Sequence, residues 1–284
     1  MPQAVLGLAE VRIPDHRGPT ALAYGVVPVD TQAPEWSEPL VELAEYGIAG
    51  EGYYARSDGH NAPYRRAFHE ACSSPVCRRT VAEKLAVANQ TLHRAKLELF
   101  VLDGHRTIAC QQELWDHFVD EAKRVLDRPS PDEIRSFAGQ YCSDPTLFNE
   151  DDPTTWPTHS TGGAVDVTLR LVGTGEPIFM GGIYDDPSEV SHTAFYEDPP
   201  EPIRKWASAS EARRNRRILY HLLAKLGFVN YSYEWWHFDY GTQMSIANAG
   251  GHPHAHVHRP AAIYGTIPRA RQSRPPTQPN YPPF

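Results

Sequence analysis

Three short segments of the chain carry residue types that suit a hydrolytic metal centre. The first holds His159 and, seven residues later, Asp166, with a glycine pair at 162–163 between them. The second holds Glu234 and His237, three residues apart. Catalytic zinc sites use about three histidine and carboxylate ligands and keep a fourth position open for water. A glutamate beside such a ligand can accept a proton from the attacking water.

The third segment, Asp103-Gly104-His105-Arg106, places a guanidinium directly after an apolar run. A cation in this position can stabilise the negative charge that develops on a carbonyl oxygen during acyl transfer. Taken singly, these residues have structural alternatives: His159 as a loop hydrogen-bonding group, and Arg106 as a surface or structural arginine. Glu234 has one as well, an ion pair with the arginine-rich segment 213–217. The order of the three segments along the chain nevertheless favours a joint site.

Hydrophobic patterns around these segments predict the elements that hold them. Apolar residues at three- and four-residue steps predict three helices, over residues 79–97, 108–126 and 208–226. Shorter apolar or alternating runs predict four strands, over residues 97–102, 164–169, 228–231 and 236–240. The third helix is predicted to begin at a capping box formed by Ser208 and Glu211. This order favours an α+β fold, in which helices flank a central antiparallel sheet and the metal lies in a cleft on the sheet.

Length and proline content suggest how the chain is organised. Its 284 residues are 40% hydrophobic, which is enough to bury a sizeable core. The 26 prolines are about twice the usual share and fall largely outside the three polar segments. The predicted organisation is an extended N-terminal arm (1–45), a catalytic domain (46–267) and a proline-rich C-terminal tail (268–284).

Charge and cysteine content narrow the classes of partner. A net charge of −8 argues against a basic surface for nucleic acid. No apolar run reaches the roughly 18–20 residues of a membrane span, and the N-terminus lacks the pattern of a secretory signal. Among the four cysteines only Cys72 and Cys77 lie close together, and free thiols are favoured over a structural zinc knuckle. We expect a cytoplasmic protein without nucleic-acid or membrane partners, and the sequence leaves its oligomeric state open.

The combined pattern resembles a known family. His-x6-Asp followed by Glu-Trp-Trp-His, with Asp-Gly-His-Arg upstream, is similar to the zinc D-alanyl-D-alanine dipeptidases of the VanX type. These belong to a wider group of zinc peptidases that includes D,D-carboxypeptidases. The resemblance covers about residues 97–240, and Glu-Trp-Trp-His at 234–237 is its most specific part. Segments 180–192 and 215–229 support it.

The resemblance implies one zinc ion per chain, with a ligand set and a catalytic pair. The zinc ligands would be His159, Asp166 and His237. Glu234 would be the general base and acid, and Arg106 would stabilise the oxyanion of the tetrahedral intermediate. The implied substrate is a small peptide.

The substrate pocket departs from the family pattern at its carboxylate end. Asp185 falls where the family binds the free amino group of a dipeptide, so a short substrate with a free amino terminus is expected. Pro157 replaces a serine that helps to hold the substrate carboxylate, and the adjacent Thr158 could compensate only in part. His105 and Thr107 replace the tyrosine and proline of the family's Asp-Gly-Tyr-Arg-Pro. We therefore expect zinc peptidase chemistry, and a dipeptide other than D-Ala-D-Ala fits this pocket equally well.

Three alternative functions remain open at this stage. The first is a related zinc amidase or carboxypeptidase acting on a specialised small peptide or secondary metabolite. The second is an iron(II) oxygenase, although its two-His-one-carboxylate site normally has His-x-Asp spacing and needs no glutamate base. The third is a non-catalytic metal-binding homologue.

A run of alternating histidines has no counterpart in the family pattern. On a strand they would share one face and could bind a transition metal, although an exposed rim loop is the preferred interpretation. The run comprises His252, His254, His256 and His258.

Overall fold

A computed structural model describes residues 3–15, 24–251 and 259–268. The helices of this described part are α1 (Gln3–Ala9), α2 (Arg79–His93), α3 (Ile108–Val125), α4 (Pro131–Ala138), α5 (Ala207–Lys225) and α6 (Gln243–Asn248). The strands are β1 (Leu40–Glu42), β2 (Ala49–Gly50), β3 (Val76–Arg78), β4 (Leu97–Asp103), β5 (Ala164–Leu171), β6 (Val229–Asn230) and β7 (His237–Asp239). The fold is a mixture of helices and sheet, as the sequence predicted.

A five-stranded sheet in the order β2-β4-β5-β7-β6 forms the centre of the fold. Strands β4, β5, β7 and β6 pair antiparallel, but β2 pairs with β4 in parallel. The prediction of an antiparallel sheet is therefore wrong at this edge, and the sheet is mixed. The physical reason is the connection: residues 51–96 run through β3 and α2 before reaching β4, which is the crossover that parallel strands require.

The sheet and two long helices share one hydrophobic core. Leu85 and Leu92 of α2, Leu99 of β4, Leu169 of β5 and Leu223 of α5 are all fully buried in it. Burial of one such side chain contributes about 1.5–3 kcal/mol relative to exposure. Since β4 and β5 lie within this core, their ends form a firm support for polar side chains.

The predicted helices and strands are present with shifts of a few residues at their ends, but one predicted start is wrong. Helix α5 follows Trp206 without a side-chain cap, so Ser208 and Glu211 lie inside the helix. A capping box does occur at α4, where Ser130 and Glu133 make the reciprocal hydrogen bonds. The Ser-x-x-Glu pattern occurs at both places in the sequence, and tertiary contacts decide which one caps a helix.

The described parts of the first 45 residues, 3–15 and 24–45, contain helical and strand segments. Helix α1 packs against α5, and the Arg217 guanidinium donates a hydrogen bond to the Ala9 carbonyl (3.1 Å). Strand β1 pairs with β3 in a separate two-stranded sheet. The division into arm, domain and tail stays a prediction. Most of the predicted tail and the histidine run at 252–258 lie outside the described residues. None of the described helices combines the length and apolar character needed to cross a bilayer.

Candidate metal centre and active site

The candidate site lies at the ends of three neighbouring strands. Asp103 on β4 is paired with Asp166 on β5, and Asp166 is paired with His237 on β7. Paired residues on adjacent strands bring their Cβ atoms within about 4.5–5.5 Å. His159 comes from the short turn before β5, which ends at Gly162 in the left-handed conformation (φ 72°). Sheet register therefore brings together residues that are far apart in the sequence.

Three of the predicted residues present their ligand atoms to one point. His237 Nδ1 lies 3.0 Å from Asp166 Oδ1 and 3.1 Å from His159 Nε2, and the remaining His159–Asp166 separation is 3.4 Å. Ligand atoms around a tetrahedral zinc with bonds of about 2.0–2.1 Å lie about 3.3 Å apart. The arrangement therefore fits a zinc ion. Among the described residues it is the one group of three or more His, Cys, Asp or Glu side chains that could hold a metal.

Hydrogen bonds to the far ring nitrogens orient both histidines. His159 Nδ1 lies 2.7 Å from the Gly104 carbonyl, and His237 Nε2 lies 2.7 Å from Asp239 Oδ2. Because a carbonyl only accepts hydrogen bonds, His159 Nδ1 carries the proton and Nε2 keeps a lone pair for a metal. Gly104 must be glycine, since a Cβ there would lie 2.3 Å from the Val76 carbonyl oxygen.

Asp239 belongs to the site but was not predicted from the sequence. Its Oδ1 accepts hydrogen bonds from the hydroxyls of Thr158 (2.6 Å) and Thr242 (2.7 Å), while its Oδ2 contacts His237. The available signal was its position two residues after His237 on the same strand. Thr158, predicted to contact the substrate carboxylate, thus has its single proton committed to Asp239.

Two carboxylates flank the buried His237 ring and favour a positive charge at this point of the site. Burial lowers the pKa of His237, but the carboxylates of Asp239 and Asp166 raise it well above its usual range. Without a metal, the ring therefore carries a proton between two carboxylates. A metal ion that binds Nδ1 has to displace that proton.

Glu234 lies beside the metal ligands in a mostly buried position. Its Oε2 is 3.8 Å from His237 Nδ1, and 16% of its side chain is exposed. Burial raises the pKa of Glu234 to about 8; the charge of His237 opposes this, while Asp166 adds to it. A bound divalent cation favours the carboxylate form, so the pKa with metal lies below this value. A pKa near the working pH suits a group that accepts and returns a proton.

Arg106 is buried on the side of the site formed by β4. Its Nε donates to Asp103 Oδ2 (2.8 Å) and its Nη1 donates to Gln111 Oε1 (3.1 Å). Its Nη2 lies 2.8 Å from the same Asp103 oxygen and makes longer contacts with Tyr54 (3.3 Å) and Asp166 (3.4 Å). All three guanidinium nitrogens are thus held by neighbouring groups, which fixes the cation beside Asp166.

Asp185 is held by tyrosine hydroxyls that no sequence pattern indicated. Tyr54 and Tyr64 both donate to Asp185 Oδ2, at 2.8 and 2.9 Å. The Tyr184 hydroxyl lies 3.0 Å from that of Tyr54 and donates to Asp166 (2.6 Å), which links Asp185 to the metal ligands. Burial and the charge of Asp166 raise the pKa of Asp185 to about 7, while Arg106 lowers it.

A cavity of about 40 Å³ brings the predicted residues together. All seven predicted site residues line it, namely Arg106, Thr158, His159, Asp166, Asp185, Glu234 and His237. Pro157 lines it as well, whereas His105 does not. Burial lowers the pKa of His105 to about 3, so this ring is neutral and belongs to the packing beneath the site.

Residues 66–258 match the peptidase M15 family model, which is described as D-ala-D-ala dipeptidase. The chain belongs to this family. A D-alanyl-D-alanine dipeptidase of Synechocystis sp. is 32% identical over 218 residues, which cover 72% of this chain and 85% of the relative. The family assignment, together with the intact His-Asp-His site, makes the chain a metallopeptidase and decides against the iron(II) oxygenase alternative.

Two further proteins are similar over a smaller part of this chain. The Escherichia coli K12 protein named D-alanyl-D-alanine dipeptidase is 34% identical over 115 residues, or 40% of this chain and 53% of the relative. A crystal structure of a mutant vancomycin resistance D,D-pentapeptidase VanY in complex with Zn(II) is 17% identical. That structure covers 66% of this chain and 84% of its own, with a TM-score of 0.36.

Two structural alternatives from the sequence are wrong. Among the described residues no ion pair joins Glu234 to the arginine-rich segment, in which Arg217 pairs with Glu197 (2.6 Å) and Arg216 donates to backbone carbonyls. Arg106 is buried, so the surface alternative for this residue is wrong. The expectation of free thiols is confirmed, since all four cysteines are unpaired and neither Cys72 nor Cys77 joins a metal-binding group among the described residues.

Proposed function

We propose that this chain is a zinc-dependent dipeptidase that hydrolyses a small peptide with a free amino terminus, with D-alanyl-D-alanine as its reference substrate. The observation that carries the proposal is the placement of Glu234 beside the His159–Asp166–His237 ligand set in one cavity. The names of the relatives in Synechocystis and E. coli support the substrate class. The proposal includes one zinc ion per chain and a cytoplasmic location, for which the unpaired thiols are the supporting observation.

The three ligands suit zinc in donor type as well as in spacing. Two neutral imidazoles and one carboxylate leave a fourth tetrahedral position free, which is typical of catalytic zinc. When bound, zinc supplies Lewis acidity toward the substrate carbonyl and lowers the pKa of water. His237 donates a hydrogen bond to the Asp239 carboxylate and His159 donates one to the Gly104 carbonyl, and these bonds keep both rings in the binding orientation.

Glu234 moves the proton during hydrolysis. Its carboxylate accepts a proton from the attacking water as the oxygen bonds to the scissile carbonyl carbon. When the carbon–nitrogen bond breaks, the protonated Glu234 donates that proton to the leaving nitrogen. The products are one free carboxylate and one free amine. General acid–base catalysis of this kind contributes about 10²–10⁴ in rate.

Arg106 and Asp185 recognise the two charges that flank the scissile bond. Arg106 can donate to the oxyanion from the position in which Asp103 and Gln111 hold its guanidinium. Asp185 offers a carboxylate for the substrate ammonium, and the tyrosine donors keep its side chain in place. A single buried carboxylate in the same cavity as the metal ligands favours short substrates.

The carboxylate end of the pocket supports a second candidate. Pro157 offers no donor, and the Thr158 hydroxyl proton is used by Asp239 (2.6 Å). A substrate whose C-terminal end is an amide or a longer chain would lose less binding free energy at this end of the pocket than a substrate that needs a serine donor. A zinc amidase or carboxypeptidase acting on a specialised peptide is therefore the alternative within the same chemistry.

Two variants test the proposal against a non-catalytic homologue. Glu234→Gln should keep one zinc per chain and lose about 10²–10⁴ of kcat, whereas His159→Ala should lose the metal. Zinc content by elemental analysis and D-Ala release measure the two effects. Glu176→Gln, an exposed acid on the β5 side, is the matched control and should retain both. Full turnover by Glu234→Gln would contradict the assignment.

A substrate panel separates the dipeptidase from its alternatives. D,D-, L,D- and L,L-dipeptides, their C-terminal amides, and the tripeptide D-Ala-D-Ala-D-Ala are compared by released amine at saturating zinc. The dipeptidase proposal expects the highest kcat/KM for a dipeptide with a free amino terminus. A higher value for the amides would favour the amidase, and a higher value for the tripeptide would favour the carboxypeptidase.

A further inference from the structure

A second and larger cavity opens directly beside the catalytic one. Its volume is about 340 Å³, against about 40 Å³ for the cavity over the metal ligands. The two cavities share four lining residues, which are Tyr141, Asp185, Tyr231 and Glu234. Small-molecule sites typically have volumes of about 300–1,000 Å³. A substrate bound over the metal ligands therefore has a sizeable space next to it.

The position of the shared residues shows which end of the substrate faces this space. Asp185, proposed above to bind the ammonium group, lies in the wall between the two cavities. Pro157 and Thr158, at the carboxylate end, line only the small cavity. The large cavity is thus next to the amino-terminal residue of the substrate. Because Asp185 captures the ammonium group, the part of the substrate that can enter is the side chain of that residue.

The walls of the large cavity are held by specific contacts. The buried Arg216 guanidinium donates to the carbonyls of Met180 (2.7 Å), Val190 (2.8 Å) and His192 (2.7 Å), and so supports the loop on one side. The Tyr141 hydroxyl donates to the Pro187 carbonyl (2.9 Å) on the other side. Three carbonyls fixed by one buried arginine make the cavity a built feature of the fold.

The chemistry of the lining favours a long cationic side chain. Five aromatic residues contribute to it, namely Phe118, Tyr141, Tyr231, Tyr233 and Trp236. Asp186 and Glu189 line the loop side, beyond the shared carboxylates, and the described lining contains no lysine or arginine. Aromatic faces and carboxylates both attract an ammonium or guanidinium group, and both disfavour an anion.

We propose that this cavity is the subsite for the side chain of the substrate's amino-terminal residue, and that it prefers a long side chain ending in a cation, such as lysine. The inference deepens the proposed function and rests on its assignment of Asp185 to the substrate ammonium. An alanine methyl group leaves the cavity almost empty, whereas a lysine chain can reach Asp186 and Glu189 while its stem lies on the aromatic residues.

Four dipeptides that differ only in the amino-terminal side chain test the preference. They carry D-lysine, D-norleucine, D-alanine or D-glutamate before D-alanine. Norleucine matches the length of lysine without its terminal ammonium group. We expect kcat/KM to fall in the order lysine, norleucine, alanine, glutamate, with lysine about tenfold or more above alanine. Equal values across the series, or faster hydrolysis of D-Ala-D-Ala-D-Ala than of any dipeptide, would overturn the proposal.

A double variant tests the role of the two loop carboxylates. Asp186→Asn with Glu189→Gln should bring the lysine-to-norleucine ratio of kcat/KM toward one. Glu45→Gln with Glu176→Gln removes the same charge from exposed positions outside the cavity and should keep the wild-type ratio. A fall of the ratio in both double variants would show a long-range charge effect and would contradict a local subsite.

Binding to an inactive variant separates this inference from the proposed function. Zinc-loaded Glu234→Gln is titrated with the four dipeptides in a calorimeter. Tighter binding of the lysine peptide without turnover of any peptide by the wild-type protein would contradict the dipeptidase proposal and support the subsite. Equal affinities for the lysine and norleucine peptides would contradict the subsite, whatever the turnover.

Discussion

The two adjoining cavities differ in how the chain builds them. The metal ligands of the small one lie on β5, on β7 and on the short turn before β5, and strand pairing sets the relative positions of Asp166 and His237. The large one is closed on one side by a loop that is held by hydrogen bonds from Arg216 and has little regular structure of its own. In the proposed function, the sheet thus supports the chemistry and the loop supports the selectivity. Loop variation on a rigid scaffold is a common route to a new substrate.

Removal of the guanidinium is expected to have the largest effect on the sheet-supported cavity. Arg106→Met should lower kcat/KM by about 10²–10³ with zinc still bound, because the oxyanion loses a preorganised donor. Arg124→Met, on the exposed face of α3, is the control and should be unaffected. Steady-state kinetics with zinc analysis measures both. Wild-type activity in Arg106→Met would contradict the assignment of the chemistry to the small cavity.

Loss of the hydrogen bond behind His237 should have the next largest effect. Asp239→Asn should weaken zinc binding about 10–100-fold, since the imidazole loses its negative partner. Asp186→Asn removes the same charge from the large cavity and should leave zinc affinity unchanged. Competition with a chelator measures both affinities. Equal losses in the two variants would mean that the cavities are not separate in function.

The wall shared by the two cavities should respond more weakly. Tyr64→Phe removes one of two donors to Asp185, which raises the pKa of that carboxyl and lowers its charged fraction near pH 7. We expect KM for a dipeptide to rise up to roughly tenfold with kcat nearly unchanged, and the difference to shrink toward pH 9. Tyr53→Phe is the control, because the Tyr53 hydroxyl donates to the Ala62 carbonyl instead. A pH-independent rise in KM would contradict the assigned role.

The smallest expected effect is a pH dependence of stability without metal. The folded-state pKa is about 7 for Asp185 and about 8 for Glu234, above the usual values of 3.8 and 4.5. At pH values between the usual pKa and the folded-state pKa, the folded state binds more protons than the unfolded state. The free energy of unfolding therefore falls as pH rises from about 5 to 8. Urea midpoints of zinc-free protein measure this, and Asp185→Asn should show a shallower fall. A urea midpoint that rises between pH 5 and 8 would contradict the burial of both carboxyl groups.

The metal ligands could be predicted from sequence because their positions follow from strand pairing. His159 precedes a strand by a short turn, Asp166 lies on that strand, and His237 begins its neighbour, so local patterns and a family resemblance together indicate the set. Glu234 follows from its three-residue spacing to His237. Asp239 carried a weaker signal, since an aspartate two residues further along a strand is common in many structural roles.

The large cavity could not be predicted in the same way. Its lining comes from the helix α3, the segment near Gln140, the loop at 185–192 and the turn before β7, which are separated by many residues. Tyr54 and Tyr64, which hold Asp185, stand in the N-terminal half without a distinctive pattern. Such contacts depend on how loops fold back on the sheet, and short-range sequence periodicity contains no information about that path.

By itself, the sequence predicted the candidate metal ligands, the proposed general base and guanidinium, and the main helices and strands, because each depends on local spacing and on burial of apolar faces. Only the tertiary structure decided the parallel edge strand β2, the commitment of Thr158 to Asp239, the tyrosine support of Asp185 and the second cavity. The physical reason is the same in each case. Local periodicity sets which residues share an element, whereas long-range packing sets which hydrogen-bond partners and spaces those elements enclose.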